Sequence, residues 1–159
     1  MRKVVIFGNS GAGKTTLARK LAREEGLAHL DLDGLAWEPT SPPTRRPVES
    51  SAEAIRQFTA RHDRWVIEGC YSDLLSLAAP DCTQLIFLNP GVLACVQNCR
   101  SRPWEPNKYE SQAAQDANLE MLIEWVGAYE TRQDEFSLEA HRRLFDAFPG
   151  AKIELETLA

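Results

Sequence analysis

A chain of 159 residues that is 43% hydrophobic is long enough for one domain with a buried core. Its formal net charge of −5 excludes the basic face that nonspecific nucleic-acid binding draws on, so direct nucleic-acid binding is not expected. No apolar run reaches the length of a membrane span, and the N-terminus enters a strand without a signal-peptide pattern, so a cytoplasmic protein with no membrane partner is expected.

The apolar, β-branched run Val4, Val5, Ile6, Phe7 predicts a strand buried on both faces of a parallel sheet. A turn containing Gly8, Gly11 and Gly13 follows, and glycine lets a backbone take positive φ and approach a ligand closely. From Lys14 the spacing of Leu17 and Leu21 predicts a helix. Strand, glycine turn and helix in this order aim backbone N–H groups and the positive helix end at one point, a nest for phosphate. Gly8, Gly13, Lys14 and Thr15 match G-x-x-x-x-G-K-[ST]. The pattern assigns Gly8, Asn9, Ser10, Gly11, Ala12, Gly13, Lys14, Thr15 and Thr16 to a nucleoside triphosphate. Lys14 is assigned to the β- and γ-phosphates and Thr15 to Mg²⁺.

Further along, residues 28–32 read as a second strand, followed by a proline-rich loop over 39–50. Ser50 and Glu53 have capping-box spacing and place the start of a helix carrying Ile55 and Phe58. "RWVIEG" reads as a third strand, residues 73–79 as a short helix and "QLIFLN" as a fourth strand. A helix over 91–100 precedes the loop "SRPWEPNK", which holds two prolines. A long helix over 111–133, another over 138–148 and a last strand in "AKIELE" complete the chain. Alternating strands and helices predict an α/β fold, a mostly parallel sheet covered on both faces. The four cysteines, Cys70, Cys82, Cys95 and Cys99, have no metal-ligand spacing and read as buried, reduced thiols.

In such a sheet, ligands bind beyond the carboxyl ends of the strands. Asp31 and Asp33 fall at the end of the second strand and Glu68 at the end of the third. Carboxylates there suit the Mg²⁺ shell, assigned to Glu68 or Asp31, or contact with an acceptor hydroxyl, assigned to Asp33. Arg100 and Arg102 end a helix and open the "SRPWEPNK" loop, and Arg132 is placed late in the following helix. With that loop as a lid, mobile when the site is empty, the three arginines are expected over the migrating phosphoryl group. Trp37 and Trp104 lie in the two loops and either line a pocket or plug the loop onto the domain.

The stretches "GNSGAGKTTLARKLA", "HLDLDGLAWEP", "WVIEGCYSDLL" and "LIFLNP", with arginines around a short lid, resemble the P-loop kinases of the adenylate and shikimate kinase type. They resemble still more closely the DNA topology modulation proteins, an adenylate-kinase-like group. The resemblance covers nearly the whole chain. It implies one three-layer α/β/α domain over residues 1–159, a parallel sheet in the order 2-3-1-4-5, a lid near residues 100–118, ATP as donor and Mg²⁺. It implies a kinase whose acceptor is a nucleoside, a nucleotide or another small hydroxyl compound.

The chain departs from these patterns after the third strand. Glu68 and Gly69 match adenylate kinases, but Cys70, Tyr71 and Ser72 stand where the acceptor-phosphate arginine is reached. Gly69 alone stands near the glycine triplet of shikimate kinases, although Asp31 and Asp33 resemble their paired aspartates. The departures point away from AMP and shikimate, and support a second reading as a nucleotide-binding regulatory protein with little turnover. "FLNPGVL" lacks the base-reading N-K-x-D segment of a GTPase.

Overall fold

The computed structural model describes residues 1–40 and 43–157. Of the loop expected over 39–50, Ser41 and Pro42 lie outside the described residues, as do Leu158 and Ala159 at the end. Strands and helices alternate: β1 (Lys3–Gly8), α1 (Lys14–Glu25), β2 (Ala28–Asp31), α2 (Asp33–Ala36), α3 (Val48–Arg61), β3 (Trp65–Gly69) and α4 (Ser72–Ala78). Then come β4 (Gln84–Leu88), α5 (Val92–Arg100), α6 (Gln112–Gly127), α7 (Leu138–Ala147) and β5 (Lys152–Leu155). The five strands form one parallel sheet in the order β2-β3-β1-β4-β5. Both the order and the layering agree with expectation.

The two-residue period of the strands sorts the core. Val4, Ile6, Val66 and Ile86 face α1, α5 and α6, where Ala18, Cys95, Cys99 and Val126 cover them. Val5, Phe7, Ile67 and Phe87 face the other way, against Ile55 of α3, Leu74 and Leu75 of α4, and the flank of α7. Full burial of such side chains is worth about 1.5–3 kcal/mol each before chain entropy is counted. β3 and β4 lie on opposite sides of β1, so the chain diverges there and opens a crevice at the carboxyl edge. Among the described residues, no helix is long and apolar enough to cross a membrane.

Several boundaries depart from the sequence reading. α3 starts at Val48 after Pro47, so Ser50 is inside the helix and does not cap it. Proline at a helix entry loses no intrahelical bond, which lets the helix begin before the hydroxyl. The segment after β2 closes into the short helix α2, which the sequence reading did not assign. α6 ends at Gly127, six residues before the expected 133. Arg132 is therefore in the connection to α7 and not in a helix. Cys70, Cys95 and Cys99 are buried free thiols as expected, whereas Cys82 is half-buried.

One buried group predicts an acid-sensitive fold. His141 of α7 is fully enclosed, edge-on to Phe7 and Phe87. Its Nε2 lies 2.7 Å from the Cys70 carbonyl, which only accepts, so Nε2 carries the proton. Nδ1 then accepts from the Tyr129 hydroxyl at 2.7 Å. Burial pushes the imidazole down to about 4. The unfolded histidine titrates at about 6.5. Between these values the unfolded chain binds a proton that the folded chain refuses, so stability falls as pH falls through that window. The expected loss is roughly 3 kcal/mol across the window. Urea unfolding at pH 6.5, 5.5 and 5 should show about half of that loss, and His141→Gln should flatten that slope. An equal slope in the variant would remove His141 as the cause.

Candidate active site

A cleft of about 590 Å³ opens at the carboxyl edge of the sheet. The loop between β1 and α1 forms one wall, with Ser10, Gly11, Gly13, Lys14, Thr15 and Thr16 lining it. Gly11 (φ 83°) and Gly13 (φ 97°) are left-handed, a conformation glycine adopts without strain. A Cβ on Gly11 would stand 2.4 Å from the Cys95 carbonyl oxygen, so the loop lies directly on α5. Asn98 of α5 donates to the Gly11 carbonyl at 2.8 Å. Asn9, nearly fully buried, donates to the Val126 carbonyl of α6 at 3.2 Å. The loop is thus clamped from two helices. Lys14 Nζ donates to the Asn9 carbonyl at 2.8 Å.

The floor carries the carboxylates. Pairing of Asp31 with Glu68 across β2 and β3, and of Ile6 with Glu68 across β1 and β3, sets Glu68 on the face covered by α1. Glu68 is 1% exposed, and its Oε1 accepts from the Thr15 hydroxyl at 2.9 Å. Asp31 Oδ1 accepts from the Asp33 backbone N–H at 2.9 Å, fixing the turn into α2. Burial pushes the Asp31 carboxyl up, and the nearby Asp33 and Glu68 carboxylates push it further.

Asp33 sits in a different field. Its Oδ1 accepts from the Tyr71 hydroxyl at 2.5 Å, and its Oδ2 lies 2.9 Å from Lys108 Nζ. Burial acts to raise its carboxyl, but the Lys108 ammonium and the Tyr71 hydrogen bond outweigh it and hold Asp33 below the ordinary carboxylate value. The same pairing raises Lys108 against the opposing effect of burial. Tyr71 is itself fixed: Trp37 Nε1 donates to its hydroxyl at 2.8 Å, and the Arg45 guanidinium lies 4.9 Å from its ring centre. Arg45 is paired with Asp73 and Glu135.

The segment from Ser101 to Lys108 forms the second wall. Arg102 faces the cleft and pairs with Glu105 at 3.5 Å. Trp104 also lines the cleft, its indole donating to the Tyr109 carbonyl at 3.1 Å, whereas Trp37 stands against Tyr71. Lys108 bridges this wall to Asp33, at 2.9 Å, and to Asp31, at 3.9 Å. The loop read as a lid is thus tied by charge to the two aspartates of the floor.

Two predicted arginines are not brought to the cleft. Arg100 is exposed on α5 and pairs with Glu120 at 3.4 Å. Arg132 lies over the Trp125 ring at 4.0 Å and pairs with Asp134. Sequence reasoning missed Lys108, Tyr71, His29 and Arg19, the last of which also lines the cleft. Only the spacing of His29 and Asp31, two apart on one strand, could have pointed to a shared face.

The donor set fits the groups that the glycine pattern implies. Thr15, Asp31 and Glu68 offer oxygen, the ligand type of a hard cation such as Mg²⁺. Lys14, Arg19 and Arg102 line the same cleft with positive charge suited to phosphate.

The architecture is that of the P-loop kinases, an α/β/α fold on a parallel sheet in the order 2-3-1-4-5. Among solved structures, the chain is similar to a shikimate kinase from Bacteroides thetaiotaomicron, at 17% identity and TM-score 0.57, covering 99% of this chain and 88% of that one. A sugar kinase from Janibacter sp. matches at 19% identity and TM-score 0.53, covering 99% and 87%. A deoxyadenosine kinase from M. mycoides with bound dATP matches at 11% identity and TM-score 0.51, covering 98% and 91%. No protein-family model and no curated protein matches the sequence.

Proposed function

We propose that this chain is a cytoplasmic, single-domain ATP-dependent kinase that phosphorylates a hydroxyl group of a small molecule. One juxtaposition carries the reading: the glycine-rich loop with Lys14 and the Asp33 carboxylate line the same cleft. Lys14 and the backbone N–H groups of the loop hold the β- and γ-phosphates of ATP. Mg²⁺ fits at Thr15 with Asp31 and Glu68 beside it, where it supplies charge neutralisation on the phosphates. Arg102 adds charge from the lid. The kinship we favour is with the DNA topology modulation proteins, supported by the four stretches that carry that resemblance and not by affinity for DNA.

In the transfer, the acceptor oxygen bonds to the γ-phosphorus as the bond to the β–γ bridging oxygen breaks, and ADP leaves. The hydroxyl proton passes to Asp33. Because Asp33 is held below the ordinary carboxylate value, it is a weak base, and its main work is to orient the hydroxyl. The acceptor side favours a compound without its own phosphate: Lys108 is committed to carboxylates and Arg45 to Asp73 and Glu135.

The test is release of ADP in a coupled assay over nucleosides, sugars, small alcohols and nucleoside monophosphates. Acceptor-dependent ADP release is expected, fastest with the unphosphorylated hydroxyl compounds. ATP binding by calorimetry without acceptor-dependent release would move the reading to the regulatory protein.

A further inference from the structure

The partner of the second Glu68 oxygen is His29. It lies on β2, whose register pairs it with Val66 and pairs Asp31 with Glu68. His29, Asp31 and Glu68 therefore share the α1 face of the sheet. The His29 Nε2 is 2.7 Å from Glu68 Oε2, while Glu68 Oε1 is 2.9 Å from the Thr15 hydroxyl. Both oxygens of a carboxylate with almost no solvent contact are thus occupied, one from each side.

A threonine hydroxyl has one proton and two lone pairs. Whatever accepts the proton decides what the oxygen shows to the cleft. With the proton on the Glu68 side, Thr15 presents lone pairs to a cation. With Glu68 turned away, the proton is free to point into the cleft, where it opposes a cation. The imidazole Nε2 stands at hydrogen-bond distance from the other Glu68 oxygen, where an N–H would hold the carboxylate in place. A buried carboxylate that lost this donor would rotate towards another partner.

We propose that His29 is a positioning residue for the cation site: it holds Glu68 so that Thr15 faces Mg²⁺ as a lone-pair donor. This rests on the kinase reading above. It assigns His29 no contact with nucleotide, acceptor or metal. Outer partners of this kind typically change metal affinity about 10–100-fold when removed.

The test is calorimetry with a non-hydrolysable ATP analogue, in EDTA and in excess Mg²⁺, on the wild type, His29→Ala and His29→Gln. The ratio of the two affinities is the gain from Mg²⁺. In His29→Ala this gain is expected to fall about tenfold, with the EDTA affinity unchanged. His29→Gln, whose amide N–H takes the place of Nε2, is expected to restore most of it. If His29→Ala does not fold, His29→Leu, which keeps the bulk without the N–H, is measured in its place.

A full Mg²⁺ gain in the variant lacking the N–H overturns the inference alone. An equal loss of affinity with and without Mg²⁺ also overturns it, because His29 would then be holding the loop rather than the cation site. A wild type that binds the analogue under neither condition overturns the kinase reading, and the inference with it.

Discussion

Replacing Lys14 with alanine is expected to lower turnover by about 10²–10³-fold and to weaken triphosphate binding, yet to leave the melting temperature nearly unchanged. The first effect follows from the loss of a fixed positive charge at the phosphates, comparable to removing one preorganised donor from an oxyanion site. The second follows from what Lys14 does in the fold. It is the first residue of α1, and its ammonium holds one carbonyl, that of Asn9, at 2.8 Å. A single hydrogen bond of this kind is worth about 1 kcal/mol net. The clamps on the loop are made by other residues, Asn9 to Val126 and Asn98 to Gly11, and survive the change. Calorimetry with Mg²⁺·ATP and thermal unfolding in the same buffer check both halves. Unchanged affinity in a folded variant would place the triphosphate outside this loop.

The parts of this site that were legible in the sequence are those fixed by neighbours in the chain. The run Val4 to Phe7, the glycines and Lys14 lie within one strand-turn-helix unit, so local pattern was sufficient. Asp31, Asp33 and Glu68 were legible because a carboxylate at the end of an apolar strand has few places to go. Strand order came with the family resemblance, since periodicity alone does not tell which strands are neighbours. Lys108 was not legible. It meets Asp33 across 75 residues, and its own loop reads as solvated. The pairing of His29 with Glu68 needs the β2–β3 register, which no single strand encodes. Arg132 was misplaced for a local reason: no proline marks the stretch after Gly127, and helix propensity carried the reading beyond the end of α6. α2 is too short to show a period.

Asp33→Asn separates the acceptor side of the cleft from the nucleotide side. The substitution keeps the shape of the side chain and an oxygen for the Tyr71 hydroxyl, which lies 2.5 Å from Oδ1. It removes the charge that orients an acceptor hydroxyl and the site that receives its proton. Transfer should slow by about 10²–10⁴-fold, the range for a positioned acid or base. Affinity for Mg²⁺·ATP should stay nearly constant, because on this reading Lys14 and the loop hold the phosphates and Thr15 the cation, independently of Asp33. The pH profile tests the same carboxylate in a second way. Lys108 and Tyr71 hold Asp33 low against its burial, so the wild-type acid limb should fall below the ordinary carboxylate value. Lys108→Met removes the ammonium 2.9 Å from Oδ2, and the acid limb should then move up in pH. It should also free the lid, since Lys108 is the residue that ties the lid to Asp33 and Asp31. A lid no longer held excludes water less well, so ATP hydrolysis without acceptor should rise in that variant. Loss of ATP affinity in Asp33→Asn, or an acid limb that stays in place in Lys108→Met, would move Asp33 out of the acceptor role and leave Asp31 as the carboxylate to test.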